Sequence, residues 1–220
     1  MSLLRIIPLL PLLGAAVNIF FGARLGSKSA GTLACAAVAL SFVASLRLFL
    51  LLSPADVFRD TVFTWIDSEP FKASLSFQAD PLTAVMLLVI TGVGFLIHVY
   101  SLGYMAHDEG MIRYFAYLNL FVFFMSLLVL ADNLLLLFVG WEGVGLCSYL
   151  LIGFWYQDHT NTIAGNKAFI VNRIGDFGFI LGLLLLFWEM SRHGVPSLSF
   201  ADLSQAAHLL RPEIVALVTL

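Results

Sequence analysis

The sequence predicts an all-α polytopic membrane protein, with a short β-hairpin and an amphipathic helix at the membrane surface. Hydrophobic residues make up 60% of its 220 residues and charged residues only 11%, whereas soluble domains carry about 25% charged residues. Six apolar segments are long enough, or nearly so, to cross a hydrocarbon core of about 30 Å. The net charge is −3 and no basic stripe is present, so nucleic acid is not expected as a partner.

The six predicted spans are separated by polar connectors, the first of which is a polar turn over residues 22–29. Arg5 can extend the short first span by snorkelling to the interface, and Asp80-Pro81 has the composition of a helix start. The spans cover residues 6–21, 30–52, 81–102, 114–131, 133–156 and 168–190. The N-terminal run lacks a small-residue cleavage site, so we predict a retained helix rather than a signal peptide.

A seventh apolar run begins after Pro212, and only a few of its residues precede Leu220. A chain that ends inside a span is expected to be a fragment of a longer protein.

Two connectors carry secondary-structure signals of their own. Residues 57–80 contain two alternating stretches around Asp67-Ser-Glu-Pro70, a pattern typical of a β-hairpin. Ser199 and Asp202 have the spacing of a capping box, and four apolar residues then share one helical face. These four are Phe200, Leu203, Ala207 and Leu210. We therefore predict a hairpin on the membrane surface and a short amphipathic helix at the interface.

A single carboxylate, Glu142, lies near the middle of the fifth predicted span. It follows Asn133 by nine residues, about 14 Å at ~1.5 Å per residue, which is close to half the thickness of the hydrocarbon core. A charge at that depth costs at least ~2.5–3.5 kcal/mol, so it is rare without a partner or a function.

The sixth predicted span carries polar residues at a similar depth. Asn172, Arg173 and Asp176 are spaced three and four apart, so they share one helical face. Small residues surround both acids and would let neighbouring helices approach closely. These residues are Gly140, Gly143, Gly145, Gly175, Gly178 and Gly182.

Two acids with an arginine between them point to a buried polar pathway. Burial disfavours an ionised carboxylate and a nearby cation favours it, so a group balanced between the two can load and release a proton near neutral pH. We therefore predict a proton relay of Glu142, Asp176 and Arg173, with Glu142 as the carrier. The alternative is a static buried cluster that only fixes helix packing.

Other polar residues give weaker signals. His98, near the end of the third span, either extends the relay or forms a hydrogen bond at the interface. Cys35 and Cys147 lie in apolar spans and are interpreted as packing residues. Trp141 lies within a span, away from the membrane interfaces where tryptophans form aromatic belts. It is predicted to pack against a neighbouring helix. The sequence shows no haem ligand pair, iron–sulfur cysteine set or phosphate-binding loop, so no cofactor is expected in this chain.

Four segments resemble one known family. Residues 131–155, which contain Gly-Trp-Glu142-Gly-Val-Gly-Leu-Cys-Ser-Tyr, are similar to the fifth transmembrane helix of the large antiporter-like L subunit of proton-pumping NADH:quinone oxidoreductase (respiratory complex I). Residues 166–176 resemble its sixth helix, and residues 91–98 and 113–121 resemble the third helix and the start of the fourth. The likeness extends over residues 80–190, and residues 1–79 agree mainly in layout.

The resemblance implies a function and partners. Family members conduct protons while partner subunits oxidise NADH and reduce quinone. Glu142 matches the family's key glutamate, and Arg173 and Asp176 match residues that modulate it. The lysine that pairs with this glutamate would lie beyond Leu220. The implied partners are other membrane-arm subunits, especially the adjacent antiporter-like subunit, in a bacterial inner membrane.

The resemblance also implies a layout and an orientation. Residues 1–110 would form three N-terminal transmembrane helices with the hairpin at 57–80. Residues 111–220 would begin the first antiporter-like inverted repeat, truncated in its seventh helix. The family places the N-terminus on the proton-release side, whereas the distribution of Lys and Arg is nearly balanced and leans weakly the other way. Two alternatives stay open: the large subunit of a multisubunit sodium/proton antiporter, and a non-conducting scaffold subunit.

Overall fold

The fold was analysed in a computed structural model that describes residues 2–69 and 71–219. Within these residues the chain forms eight α-helices and one two-stranded antiparallel sheet. The elements are α1 (Leu3–Leu25), α2 (Ser27–Leu51), β1 (Phe58–Ser68), β2 (Phe71–Ala79), α3 (Pro81–Tyr104), α4 (Met111–Leu130), α5 (Leu134–Ile152), α6 (His159–Arg192), α7 (Phe200–Ala206) and α8 (Pro212–Thr219).

Helices α1 to α6 are each long and apolar enough to cross a membrane, which confirms the predicted polytopic helical architecture. The predicted spans locate the six helices but not all of their ends. Helix α5 ends at Ile152 rather than at 156, and α6 begins at His159 rather than at 168. The early start of α6 has a local cause, since the Asp158 carboxylate caps it by accepting a hydrogen bond from the Thr160 N–H at 2.9 Å.

The connection between α1 and α2 is a single residue, Gly26. Its φ of 79° lies in the left-handed region that favours glycine, which allows the chain to reverse there. The predicted polar turn over residues 22–29 is therefore wrong. Residues up to Leu25 belong to α1, and Arg24 in its last turn interacts favourably with the helix dipole.

The core of the described chain consists of two buried clusters at different levels of the bundle. The first joins α1, α2, α4 and α5 to the hairpin through Ile7, Leu48, Phe77, Leu130 and Leu136. The second surrounds Phe115. Cys35 and Cys147 are both free and buried, as expected of packing residues.

The predicted hairpin is confirmed, since β1 pairs antiparallel with β2, although Pro70 of its turn lies outside the described residues. Asp80 caps α3 by accepting from the Thr83 N–H at 2.7 Å, as the Asp-Pro pair predicted. At the same open end of the hairpin, Asp60 on β1 forms an ion pair with Arg5 at the start of α1. The Arg5 guanidinium, which donates to this carboxylate, lowers the pKa of Asp60. The hairpin is thus tied to both α1 and α3.

The chain between α4 and α5 is clamped between the hairpin and the segment before α7. Hydrogen bonds on both sides of residues 132–134 hold the first residues of α5 and fix where that helix begins. They join Asp132 N to Ser76 O (3.2 Å), Asn133 Nδ2 to Ser74 O (2.9 Å), Leu134 N to Leu198 O (3.1 Å) and Phe200 N to Asp132 O (3.1 Å). Asn133 also caps α5 by accepting from the Leu136 N–H at 2.9 Å.

The predicted amphipathic helix is present as α7, which continues into a 3₁₀ turn at Ala207–Leu209. Ser199 caps it, but its hydroxyl accepts from the Ala201 N–H at 3.3 Å rather than from Asp202. The capping-box prediction is therefore wrong in its pairing. The buried alanine is Ala206, whereas Ala207 is exposed, because the helix tightens at this point and turns its last residues away from the predicted face.

Close packing of α4 against α5 depends on two of the predicted glycines, Gly140 and Gly143. A Cβ atom at Gly140 would lie 2.7 Å from the Cα of Leu128, and one at Gly143 would overlap the ring of Phe124. A Cβ atom at Gly182 would lie 3.5 Å from Val218 O of α8, an ordinary van der Waals contact. The other three predicted contacts are wrong for the described part of the chain, where Cβ positions at residues 145, 175 and 178 meet open space.

We predict that Gly140→Ala lowers the free energy of unfolding by about 1–3 kcal/mol, because the added methyl group forces α4 and α5 apart. Gly145→Ala is the matched control in the same helix, and it leaves stability unchanged or slightly raised. Thermal unfolding of the purified full-length protein in detergent measures both. Equal losses in the two variants would contradict the predicted contact.

A second prediction concerns the pH at which the hairpin stays docked. Because the pKa of Asp60 is lowered, its ion pair stabilises the fold fully at pH values above the ordinary pKa of aspartate. This contribution is lost as the pH falls through the lowered pKa. We expect the protection of the β1 amides against exchange, relative to their intrinsic exchange rates, to fall below about pH 4, and Asp60→Asn to lower it already at pH 7. Asp67→Asn is the control, since the Asp67–Lys72 pair is well exposed and contributes little.

Candidate functional site

A shared arginine connects two membrane-spanning helices at the candidate site. The guanidinium of Arg173 on α6 forms an ion pair with Glu142 on α5. The same nitrogen, Nη1, lies 3.7 Å from Oδ2 of Asp176, one turn further along α6. The structure therefore brings together the three residues that the sequence singled out as the relay.

Local helix geometry places each of these groups. Glu142 stands in the middle of α5, and the spacing of three residues puts Arg173 and Asp176 on the α6 face that meets it. The guanidinium also lies over the ring of Phe169, 4.7 Å from its centroid. A cation–π contact of this kind holds the guanidinium plane without neutralising its charge.

The two acids differ in their environments. The Asp176 side chain is only 9% exposed, whereas the Glu142 side chain is 24% exposed and lines an open, mainly apolar groove of about 380 Å³. Apart from Glu142 and Arg173, the groove is lined by apolar residues of α4, α5 and α6. They are Phe124, Phe138, Val139, Gly143, Leu146 and Phe169. Such walls strengthen the attraction between the paired charges.

Trp141 contributes a contact that sequence reasoning missed. Its indole Nε1–H donates a hydrogen bond to Oδ1 of Asp176 at 2.8 Å. The sequence predicted only packing against a neighbouring helix. The available signal was the need of an indole N–H within an apolar span for an acceptor. Asp176, on the next predicted span, was an acceptor at similar depth.

His98 is placed elsewhere. It is fully buried on α3, its Nδ1 lies 2.7 Å from Gly94 O, and its ring centroid is 6.1 Å from that of Phe115. Among the residues that the structure describes, the polar partners of Glu142, Arg173 and Asp176 all come from α5 and α6. The structure does not bring His98 to the relay.

A second buried carboxylate, Glu189, lies near the end of α6 and was not singled out from the sequence. Arg211, just before α8, donates to it at 2.9 and 3.3 Å. Arg192 Nη1 and His193 Nε2 lie 3.6 and 3.7 Å from its carboxylate oxygens. This cluster connects the end of α6 to the start of α8. No group of three or more His, Cys, Asp or Glu side chains suited to a metal ion occurs in the described ranges, and the expectation about cofactors stays a prediction.

Two family models match the chain, and together they cover more than half of it. The model described as NADH-Ubiquinone oxidoreductase (complex I), chain 5 N-terminus, matches residues 65–115. The model described as NADH:quinone oxidoreductase/Mrp antiporter, TM, matches residues 131–219. The second match contains the whole candidate site.

Curated relatives give the same assignment. The chain is 44% identical to NADH-quinone oxidoreductase subunit L of Rickettsia bellii over 186 residues, which are 84% of this chain and 29% of the relative. It is 46% identical to the subunit of the same name from Mycobacterium tuberculosis over 182 residues, 81% of this chain and 29% of the relative. The chain thus spans less than a third of the length of the relatives that it matches.

Solved structures share the fold at lower sequence identity. The Mrp complex from Dietzia sp. DQ12-45-1b matches with a TM-score of 0.79 at 22% identity, over 99% of this chain and 22% of the other. The membrane-bound sulfane sulfur reductase, an archaeal respiratory membrane complex, matches with a TM-score of 0.81 at 17% identity, over 99% and 42%.

The chain belongs to the family of antiporter-like membrane subunits that NADH:quinone oxidoreductases and Mrp antiporters share. Within that family its sequence is similar to the N-terminal part of NADH-quinone oxidoreductase subunit L. It is a multi-pass integral membrane protein of the antiporter-like helical type.

The shared arginine leads to a prediction about stability. Arg173→Leu leaves two carboxylates without their cation, and we expect a loss of about 1–3 kcal/mol, less than for a fully buried pair because Arg173 is partly exposed. The double variant Glu142→Leu/Arg173→Leu should recover part of the loss, because the remaining Asp176 keeps its bond from Trp141. Thermal unfolding of the full-length protein in detergent measures both.

Arg192→Leu serves as the matched control for this measurement. Arg192 is also an i,i+3 partner of an acid on α6, but Glu189 keeps its closer partner Arg211. A loss from Arg192→Leu as large as that from Arg173→Leu, or no recovery in the double variant, would contradict the assigned pairing.

Proposed function

We propose that this chain is part of a proton-translocating membrane-arm subunit of an NADH:quinone oxidoreductase in a bacterial inner membrane. Protons move through the relay of Glu142, Arg173 and Asp176, and redox chemistry in partner subunits drives them. The observation that carries the proposal is the single cation, Arg173, that Glu142 and Asp176 share between two membrane-spanning helices. The similarity to proteins named NADH-quinone oxidoreductase subunit L supports the choice of complex.

The relay works by moving one charge between two acids. While Arg173 pairs with Glu142, the carboxylate is stabilised in its ionised form. When the guanidinium shifts towards Asp176, Glu142 loses its cation and takes up a proton, and the return of Arg173 releases that proton. At an effective dielectric constant near 20, two charges 4 Å apart interact by about 4 kcal/mol. A side-chain movement of a few ångströms therefore changes the proton affinity enough to load and unload the site.

The roles in this proposal follow the contacts. Glu142 carries the proton, and Arg173 and Asp176 modulate it. His98 has no polar contact to these residues in the described chain, so it is not included in the relay. We propose no redox centre for this chain, since electrons pass through partner subunits. The adjacent antiporter-like subunit is the proposed partner in the membrane arm.

A sodium/proton antiporter is the second candidate. The family model over residues 131–219 names the Mrp antiporter together with NADH:quinone oxidoreductase. The same relay would serve either protein, because the carboxylate and cation chemistry is shared. The two functions differ in their driving force, which is NADH oxidation in one and a sodium gradient in the other.

The test replaces Glu142 with Gln in the full-length protein of the assembled complex. We expect NADH-driven proton uptake by inverted membrane vesicles to lose most of its extent, because an amide cannot take up the proton. Glu109→Gln is the control, since Glu109 is an exposed acid in the connector between α3 and α4, and it should leave uptake unchanged. Native gels report whether each variant assembles.

Three results would count against the proposal. Normal uptake in assembled Glu142→Gln complexes would favour the scaffold alternative. Loss of uptake in Glu109→Gln as well would show that the effect is not specific to the relay. Proton transport that depends on sodium and proceeds without NADH oxidation would support the antiporter.

A further inference from the structure

We propose that Trp141 is a positioning residue of this relay and that its indole N–H decides which acid holds Arg173. The inference rests on the proposed function and extends it by one residue. Trp141 precedes Glu142 on α5, yet its polar contact is to the other acid, with Nε1 donating to Oδ1 of Asp176 at 2.8 Å. Helix α5 therefore supplies both Glu142, the proton carrier, and the donor that binds Asp176, the second acid that can pair with Arg173.

The bond leaves Asp176 with only part of its capacity to accept. A carboxylate can hold a guanidinium through two parallel hydrogen bonds when both of its oxygens are free. Here Oδ1 is occupied by the indole, and Oδ2 approaches Arg173 at 3.7 Å, beyond hydrogen-bond distance. Asp176 is therefore a near but weak partner, and Arg173 stays paired with Glu142.

Packing does not explain the position of this ring. Trp141 is 51% exposed, so its apolar surface is only half covered by the described chain. The indole N–H has no water to bond to in a hydrocarbon environment, and an unsatisfied N–H is costly there. The bond to Asp176 satisfies that donor and fixes the rotation of both side chains across the gap between α5 and α6.

Removing the N–H should free Oδ1 to turn towards Arg173. Asp176 would then bind the guanidinium with both oxygens and draw it away from Glu142. The pairing of Arg173 would then shift from Glu142 to Asp176, although all three ionisable groups remain in place. We therefore expect the complex to assemble normally and its proton transport to show a changed pH dependence.

The experiment compares Trp141→Phe with the unmodified complex in NADH-driven proton uptake measured over a range of pH. We expect the pH of half-maximal uptake to shift by about 0.5–1 unit, the range that corresponds to one hydrogen bond in a membrane protein. The same substitution in an Asp176→Asn background should add no further shift, because the acceptor carboxylate is already gone.

Trp155→Phe provides a matched control. The Trp155 indole also donates to a carboxylate, Asp108, at 2.8 Å, but in the connectors away from the relay. It should leave the pH profile unchanged. If Trp141→Phe fails to assemble, benzothienylalanine at position 141 keeps the bicyclic shape and replaces the N–H with sulfur.

The outcomes separate this inference from the proposed function. An unchanged profile in the Trp141 variants, a shift that persists in the Asp176→Asn background, or an equal shift from Trp155→Phe would each overturn the role of Trp141. Any of these results, combined with lost uptake in Glu142→Gln, leaves the relay in place and removes only its positioning residue. Normal uptake in Glu142→Gln would overturn the relay itself.

Discussion

The cost of placing charge in hydrocarbon is the constraint on which the site depends. Each acid in the apolar bundle must be compensated, and within the described residues one cation, Arg173, serves two of them, Glu142 and Asp176. A dedicated cation for each acid would give a static pair, as at Glu189, where Arg211 donates two hydrogen bonds. Sharing leaves one acid under-compensated whichever position Arg173 takes. In the proposed function, this imbalance is what lets the site change its protonation state, whereas the cluster around Glu189 only connects helices.

How far the sequence predicts this site depends on the range of the interaction. Arg173 and Asp176 lie on one helix, so their spacing alone predicts a common face. The pairing with Glu142 was predictable because α5 and α6 are consecutive, antiparallel spans and the acids share a depth. The indole bond of Trp141 was not, because it depends on the rotation of two helices about their axes. Hydrophobic periodicity defines rotation poorly when a helix is apolar on all sides.

The helix boundaries likewise divide into those that neighbouring residues determine and those that composition alone does not predict. Asp80 before Pro81 predicted the start of α3, because an N-cap depends on residues within one turn. The start of α6 at His159 was missed, since residues 159–167 are mostly polar and a search for apolar segments passes over them. Likewise, residues 22–29 predicted a polar turn, whereas the helices continue on both sides of Gly26. Polar composition marks the limits of the hydrocarbon region, and helices extend beyond those limits.

The clamp at the start of α5 has a consequence for how the relay can move. Residues 132–134 are bonded to the hairpin and to the segment before α7. At the opposite end Arg113 donates to Phe154 O at 3.1 Å and lies over the ring of the same residue. Held at both ends, α5 cannot slide without breaking these contacts, so the depth of Glu142 is fixed. In the proposed relay, the change of partner therefore requires only a rotation of the long Arg173 side chain between two acids while both helices stay in place.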